Sequence, residues 1–235
     1  MIDLAADLHT HSDLTDGAAN PEAMADAAAA AGLTRWALSD HVRRDSTWTP
    51  EYVARVRGLR RPGLMILCAV EAKILDADGA LDLPPGLADL DHVLVADHQF
   101  PSADGPVSPR AMTEHLAAGR ITAAGAVDAL VAATGRALAA APFRPIAAHL
   151  FSLLPKMGLS EDLVGDDHLA ALAAACRAAG GAVEINEKWR CPSPRVLRAL
   201  RDHGVELAAA SDAHDVGAVG RFDYVRAMAA ELADA

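Results

Sequence analysis

The sequence predicts an α/β fold in which a parallel sheet is wrapped by helices. Seven short apolar or β-branched runs are interleaved with seven longer alanine-rich segments of helical spacing, the signature of crossovers that lay parallel strands side by side. The length of 235 residues suits a closed or nearly closed (β/α) barrel better than an open sheet.

In chain order, strands are expected at residues 4–8, 35–39, 64–74, 92–96, 145–149, 182–186 and 205–210. Helices are expected at 21–31, 50–60, 109–118, 122–140, 167–179, 194–203 and 219–233. Prolines stand near the starts of several helices, and Gly32, Gly180 and Gly204 follow the ends of three, the usual asymmetry of helix termini. Residues 99–108, with two prolines, read as a loop after the fourth strand. No repeat, linker or low-complexity tail divides the chain, so residues 1–235 read as a single domain.

Composition removes several classes of function. Three widely spaced cysteines, an odd number, exclude a disulfide framework. The most apolar stretch, 121–143, is broken by Asp128 and Arg136, and the first eight residues lack a basic and apolar leader. A soluble, cytoplasmic protein with no membrane partner is expected. A net charge of −11 disfavours long nucleic acids, whose phosphates are held mainly by Lys and Arg.

The histidines carry the chemistry. His9 and His11 follow the first predicted strand, His41 the second and His98 the fourth; His149 closes the fifth, and His214 follows the seventh. Asp16, Glu71 and Asp212 join them. Strand C-termini of a parallel barrel share one face, so these nine N/O donors converge on one mouth. Residues i and i+2 of extended chain point the same way, so His9 with His11, and Asp212 with His214, each offer two donors to one cavity. Imidazoles with carboxylates and no thiolate suit divalent Zn, Mn or Fe.

Asp7-Leu8-His9-Thr10-His11-Ser12 with Asp16-Gly17, Ser39-Asp40-His41, Val70-Glu71-Ala72 and Ser211-Asp212-Ala213-His214 resemble, in order, the motifs of the PHP (polymerase and histidinol phosphatase) family. The resemblance runs from residue 3 to about 222. It implies a distorted (β/α)7 TIM-like barrel with a trinuclear site. Carried over by position, it assigns His9, His11, Glu71 and Asp212 to one ion. It gives Glu71, His98 and His149 to a second, with Glu71 bridging, and Asp16, His41 and His214 to a third.

Three divalent ions against three carboxylate ligands leave the mouth at roughly +3, an anion trap within an acidic protein. A hydroxide bridging two ions would be the nucleophile for a phosphoester, whose peripheral oxygens the ions could clamp. Glu71, Asp212, His214 and Asp40 are the expected catalytic residues. Asp40, beside His41, orients that ring or relays a proton, and Asp7 shares a face with His9 and would orient it. Arg190, Lys73, Arg43 and Arg221 are the expected substrate contacts, with Arg190 as the principal phosphate grip. The expected activity is hydrolysis of a small phosphomonoester. A phosphodiesterase or 3′-5′ exonuclease on short oligonucleotides, and a catalytically silent metal-binding module, remain open alternatives.

Overall fold

A computed structural model describes residues 2–233. In chain order its strands are β1 (Ala6–Asp7), β2 (Arg35–Leu38), β3 (Met65–Lys73), β4 (His92–Ala96), β5 (Phe100–Ser102), β6 (Gly105–Val107), β7 (Pro145–Ala148), β8 (Ala182–Asn186) and β9 (Glu206–Ala210). Its helices are α1 (Pro21–Ala30), α2 (Thr49–Gly58), α3 (Pro109–Ala117), α4 (Ala123–Ala140), α5 (Leu153–Lys156), α6 (Asp166–Ala178), α7 (Pro194–Asp202) and α8 (Tyr224–Ala233), with a 3-10 turn at Glu161–Leu163. Seven strands pair in the order β1-β2-β3-β4-β7-β8-β9, every pair parallel. The sheet curls into a nearly closed barrel.

The two-residue period of a strand divides each element between two environments. One face packs under the helices and carries large side chains such as Trp36, Leu38, Val70, Val93 and Ile185. The other face builds an inner layer dominated by alanine, including Ala37, Ala69, Ala96, Ala148 and Ala182. The same alternation that turns Ala69 inward turns Glu71 inward two residues higher, and Ala182 is followed in the same way by Glu184 and Asn186. Below the polar groups, the interior is packed mostly with alanine, together with Leu8, Leu94 and Ile146.

Three helices open with a capping side chain followed by proline. Asn20 accepts from Ala23 N–H, Ser108 from Ala111 N–H and Ser193 from Val196 N–H, at 2.9, 3.2 and 3.5 Å. α4 is long and apolar enough to cross a membrane by length and composition alone. Here its Ala126, Val127, Leu130, Ala133 and Leu138 are buried in the core, the face its helical spacing dictates.

Closure between β9 and β1 is made mostly beyond the strand ends. Leu8 N–H donates to Ala209 O at 3.1 Å, Asp212 N–H to His9 O at 2.9 Å and His11 N–H to Ala213 O at 2.8 Å. Thr10 and Ala213 form a parallel bridge. The seam therefore runs through the donor-bearing loops.

Three expectations are corrected. The 99–108 segment contains a hairpin, β5 and β6, whose Pro101 and Pro106 face each other; proline lacks an N–H, so a proline-bearing strand reads as loop. The last helix begins at Tyr224, not 219, because Gly220, at φ +68°, donates its N–H to Asp7 Oδ2 and turns the chain first. Glu187 then accepts from Tyr224 and Val225 N–H at 3.0 Å each, placing an anion at the positive end of the helix. The first strand is two residues long because Ala6 N–H is taken by Asp3 O in a turn.

Candidate metal centre

Every predicted donor reaches the same end of the barrel. Thr10 holds the β1 loop by donating its hydroxyl to Ala37 O at 2.7 Å and its N–H to Ser39 Oγ at 3.1 Å. His9 and His11, on either side of it, are fully buried. At the centre lies Glu71. Its Oε1 is 2.9 Å from His149 Nε2 and 3.0 Å from His98 Nε2, and its Oε2 is 2.9 Å from His41 Nδ1, 3.4 Å from His9 Nε2 and 3.5 Å from His11 Nε2. Asp212 Oδ1 stands 3.5 Å from His11 Nε2 and 3.9 Å from His9 Nε2. Asp16 Oδ2 lies 3.4 Å from His41 Nε2 and 3.3 Å from His214 Nε2.

Three groups have donor atoms all within 4.8 Å of one another: His9, His11, Glu71; His41, Glu71, His98; and His11, Asp16, His41, His214. They overlap the sets implied by the family resemblance but differ in detail. His41 joins Glu71 and His98 where His149 was expected, and His11 joins the Asp16 group. His149 and Asp212 stand immediately beside these groups through the contacts above.

The cluster's electrostatics fit cations. Burial alone would raise Glu71 and Asp212, yet the surrounding imidazoles hold both carboxyls well below their usual range. Burial disfavours a charged His149, but Asp97 and Glu71 outweigh it and push its pKa up to about 10; burial wins at His11, lowered to about 4. These acids demand positive charge, which divalent ions supply while displacing the imidazole protons. Two further observations agree. His9 and His11 face each other Nε2 to Nε2 at 2.9 Å, close enough for one cation to meet both rings. The buried His11 Nδ1 has no hydrogen-bond partner.

The support around these donors differs from expectation. Asp7 does not orient His9; it accepts Ser211 N–H at 2.9 Å and Gly220 N–H at 3.0 Å, tying the seam. Nδ1 of His9 instead meets Glu184 Oε2 at 2.9 Å. Asp40 accepts Ser12 N–H, Ser12 Oγ–H and Thr15 Oγ1–H at 2.8, 2.6 and 2.6 Å. It thus braces the loop carrying Asp16 and not the ring of His41. Asp97 orients His149 through Nδ1 at 3.3 Å and is itself held by Ser152 Oγ–H at 3.1 Å. Glu184 and Asp97 were missed in the sequence; their signal is a carboxylate within or directly after a buried strand, which requires a partner.

The cationic residues also redistribute. Arg190 is exposed, with its guanidinium 5.5 Å over the Tyr224 ring, a cation–π contact. Lys188, two residues earlier, reaches the cluster: its Nζ is 3.5 Å from Asp212 Oδ1 and 3.2 Å from both ring nitrogens of His214. Lys73 and Arg43 line a cavity of about 540 Å³ that also touches Asp16, His41, Glu71 and His98. Arg221 lines a second cavity, of about 460 Å³, with Lys188, Asp212 and His214. The donors therefore have basic side chains on both flanks.

A parallel barrel that gathers imidazoles and carboxylates from its strand ends belongs to the class of metal-site α/β barrels. The chain belongs to the PHP domain family, whose model matches residues 7–234. Two solved structures share the fold. A candidate histidinol phosphatase from Listeria monocytogenes aligns with TM-score 0.69 at 15% identity, covering 94% of this chain and 99% of that one. Histidinol phosphate phosphatase from Lactococcus lactis, solved with zinc, L-histidinol and phosphate, aligns with TM-score 0.65 at 14% identity, covering 97% of this chain and 92% of that one. Among curated proteins no sequence match is found.

Proposed function

We propose that this chain is a metal-dependent phosphatase that hydrolyses small phosphomonoesters, holding up to three divalent ions drawn from Zn, Mn or Fe. The observation that carries this reading is Glu71, a buried carboxylate with both oxygens shared among His9, His11, His41, His98 and His149. His9, His11, Glu71 and Asp212 would hold one ion, Glu71, His98 and His149 a second, and Asp16, His41 and His214 a third. Bound there, such ions supply an activated water and positive charge for an in-line displacement at phosphorus.

The chain's own residues do the rest. Lys188 offers its ammonium on the Asp212 and His214 side, where it can donate to a phosphoryl oxygen as negative charge develops there. Lys73 and Arg43 offer positive charge on the other flank, and Arg221 at its own cavity. Asp97, Glu184 and Asp40 hold donors and loops in place. The neighbour solved with zinc, L-histidinol and phosphate makes histidinol phosphate the first substrate to assay, with the enzyme acting in the cytoplasm on small solutes.

The test is turnover of p-nitrophenyl phosphate and histidinol phosphate after reconstitution with Zn, Mn or Fe, beside a bis-ester and a short oligonucleotide. Monoester turnover that vanishes with chelator is expected. Preferential bis-ester or oligonucleotide cleavage would replace the reading with a phosphodiesterase, and ion binding without turnover of any ester would leave a silent module.

A further inference from the structure

Glu184 lies in β8, outside every donor set above, and its carboxylate is fully engaged. Oε2 meets His9 Nδ1 at 2.9 Å, while Oε1 accepts the main-chain N–H of His149 at 2.6 Å and Asn186 Nδ2–H at 2.7 Å. Asn186 also donates to Asp212 Oδ2 at 3.3 Å. Glu184 and Asn186 are completely buried. One carboxylate thus grips a ring from the β1 loop, the backbone at the end of β7 and, through Asn186, the acid after β9.

Each grip has a consequence for ligation. Nδ1–H donated to a carboxylate leaves His9 Nε2 as a lone pair aimed at the cluster and makes it more basic. His149 stands at φ +31°, a backbone state that non-glycine residues avoid, and the charge-assisted bond from its N–H to Glu184 holds it there. No contact with Glu184 ties the outer donors, and the Asp16 side chain is 52% exposed, against none for His9 and 2% for His149.

We propose that Glu184 is a positioning residue that locks His9 and His149 as a pair. Consequently the ion at His9, His11, Glu71 and Asp212 and the ion at Glu71, His98 and His149 load together, while the Asp16, His41, His214 position loads without it. This rests on the metal-site reading above.

Glu184→Gln isolates the effect, because it is isosteric. With its oxygen in the Oε1 place, Gln still accepts from His149 N–H and Asn186. Its amide then donates to His9 Nδ1, forcing the proton onto Nε2 where a cation should bind. The fold is kept and the tautomer reversed.

The full chain, stripped and titrated with zinc, is followed by native mass spectrometry and by competition with a chromophoric chelator. Circular dichroism monitors the fold. Wild type is expected to show a two-ion step, and Glu184→Gln to bind both inner ions more weakly by about 10–100-fold while retaining one ion and wild-type circular dichroism. Glu184→Asp, which keeps the charge on a shorter arm, should recover part of the loss. A statistical ladder of one, two and three ions in wild type overturns the proposal whatever the variants do. So does wild-type affinity in a folded Glu184→Gln, or loss confined to one inner ion. Wild type binding no zinc at all would overturn the metal-site reading together with this inference.

Discussion

Lys188 and Asp212 approach to 3.5 Å, Nζ to Oδ1, across the loops that follow β8 and β9. This contact, and not the neighbouring guanidinium of Arg190, brings fixed positive charge to the edge of the cluster. Lys188→Ala is therefore expected to lower kcat/KM for a phosphomonoester by about 10², the loss typical of removing one donor to developing negative charge. Arg190→Ala, which leaves that contact intact, should stay within about 3-fold of wild type, near the scale of an ordinary surface change. Steady-state assays on both variants after confirming metal content decide between them. An Arg190→Ala loss that exceeds the Lys188→Ala loss would return the phosphate grip to the arginine.

Glu71→Gln removes one negative charge from the only carboxylate shared by His9, His41, His98 and His149 among the described residues. Activity should fall by about 10³ or more, because the displacement depends on paired ions. Plasma emission should find fewer ions than in wild type, with the far-UV spectrum unchanged. Near-normal turnover would take Glu71 out of the centre.

Gly17 follows Asp16 in the loop that Asp40 braces. A Cβ there would lie 2.7 Å from His11 O and 2.8 Å from Ser12 C, against main chain that has no room to give. Gly17→Ala should cost roughly 1–3 kcal/mol of stability, as overpacking does, and lower the ion content by one through displacement of Asp16. Chemical denaturation and ion counting on the same sample test both halves.

His92 gives a pH dependence separable from the cluster. Burial pushes its imidazole from 6.5 down to about 4, against the opposing contact of Nε2 with Leu8 O at 3.0 Å. The folded ring therefore stays neutral while the unfolded one takes up a proton below 6.5, so the unfolded state binds more protons in that window. His92 consequently withdraws stability as pH falls from 6.5 toward about 4, by roughly 3 kcal/mol at the lower end. Urea unfolding of the chelator-treated protein should show a steeper decline in wild type than in His92→Gln, which carries no titrating ring. Parallel slopes would refute the assignment.

The barrel was legible because strand and helix periods differ and because donors fall at strand ends, where topology converts distant sequence positions into neighbours. The supporting polar groups were harder to read. Glu184 and Asn186 sit in the apolar run of β8, where nothing local says which ring or which backbone N–H a buried acid will meet; that depends on the register of β7 with β8 and on the path of the β1 loop. Lys188 and Arg190 share a short loop with no periodicity, and Arg190 at φ +51° points elsewhere for reasons of main-chain path. Asp7 shares a face with His9 in extended chain, yet a strand of only two residues ends before that geometry holds.

The seam joining the main chain of Leu8, His9 and His11 to that of Ala209, Asp212 and Ala213 has a temporal meaning during synthesis. The chain emerges from its first residue onward, so β1 and its histidines wait for partners about 200 positions later, a closure of high sequence separation that forms late. Until the Ala213 segment has emerged, His9 and His11 stand without Asp212 and His214, and the inner pocket has one open wall. Capture of the inner ions would thus report that synthesis has passed the Ala213 segment and that the seam has closed.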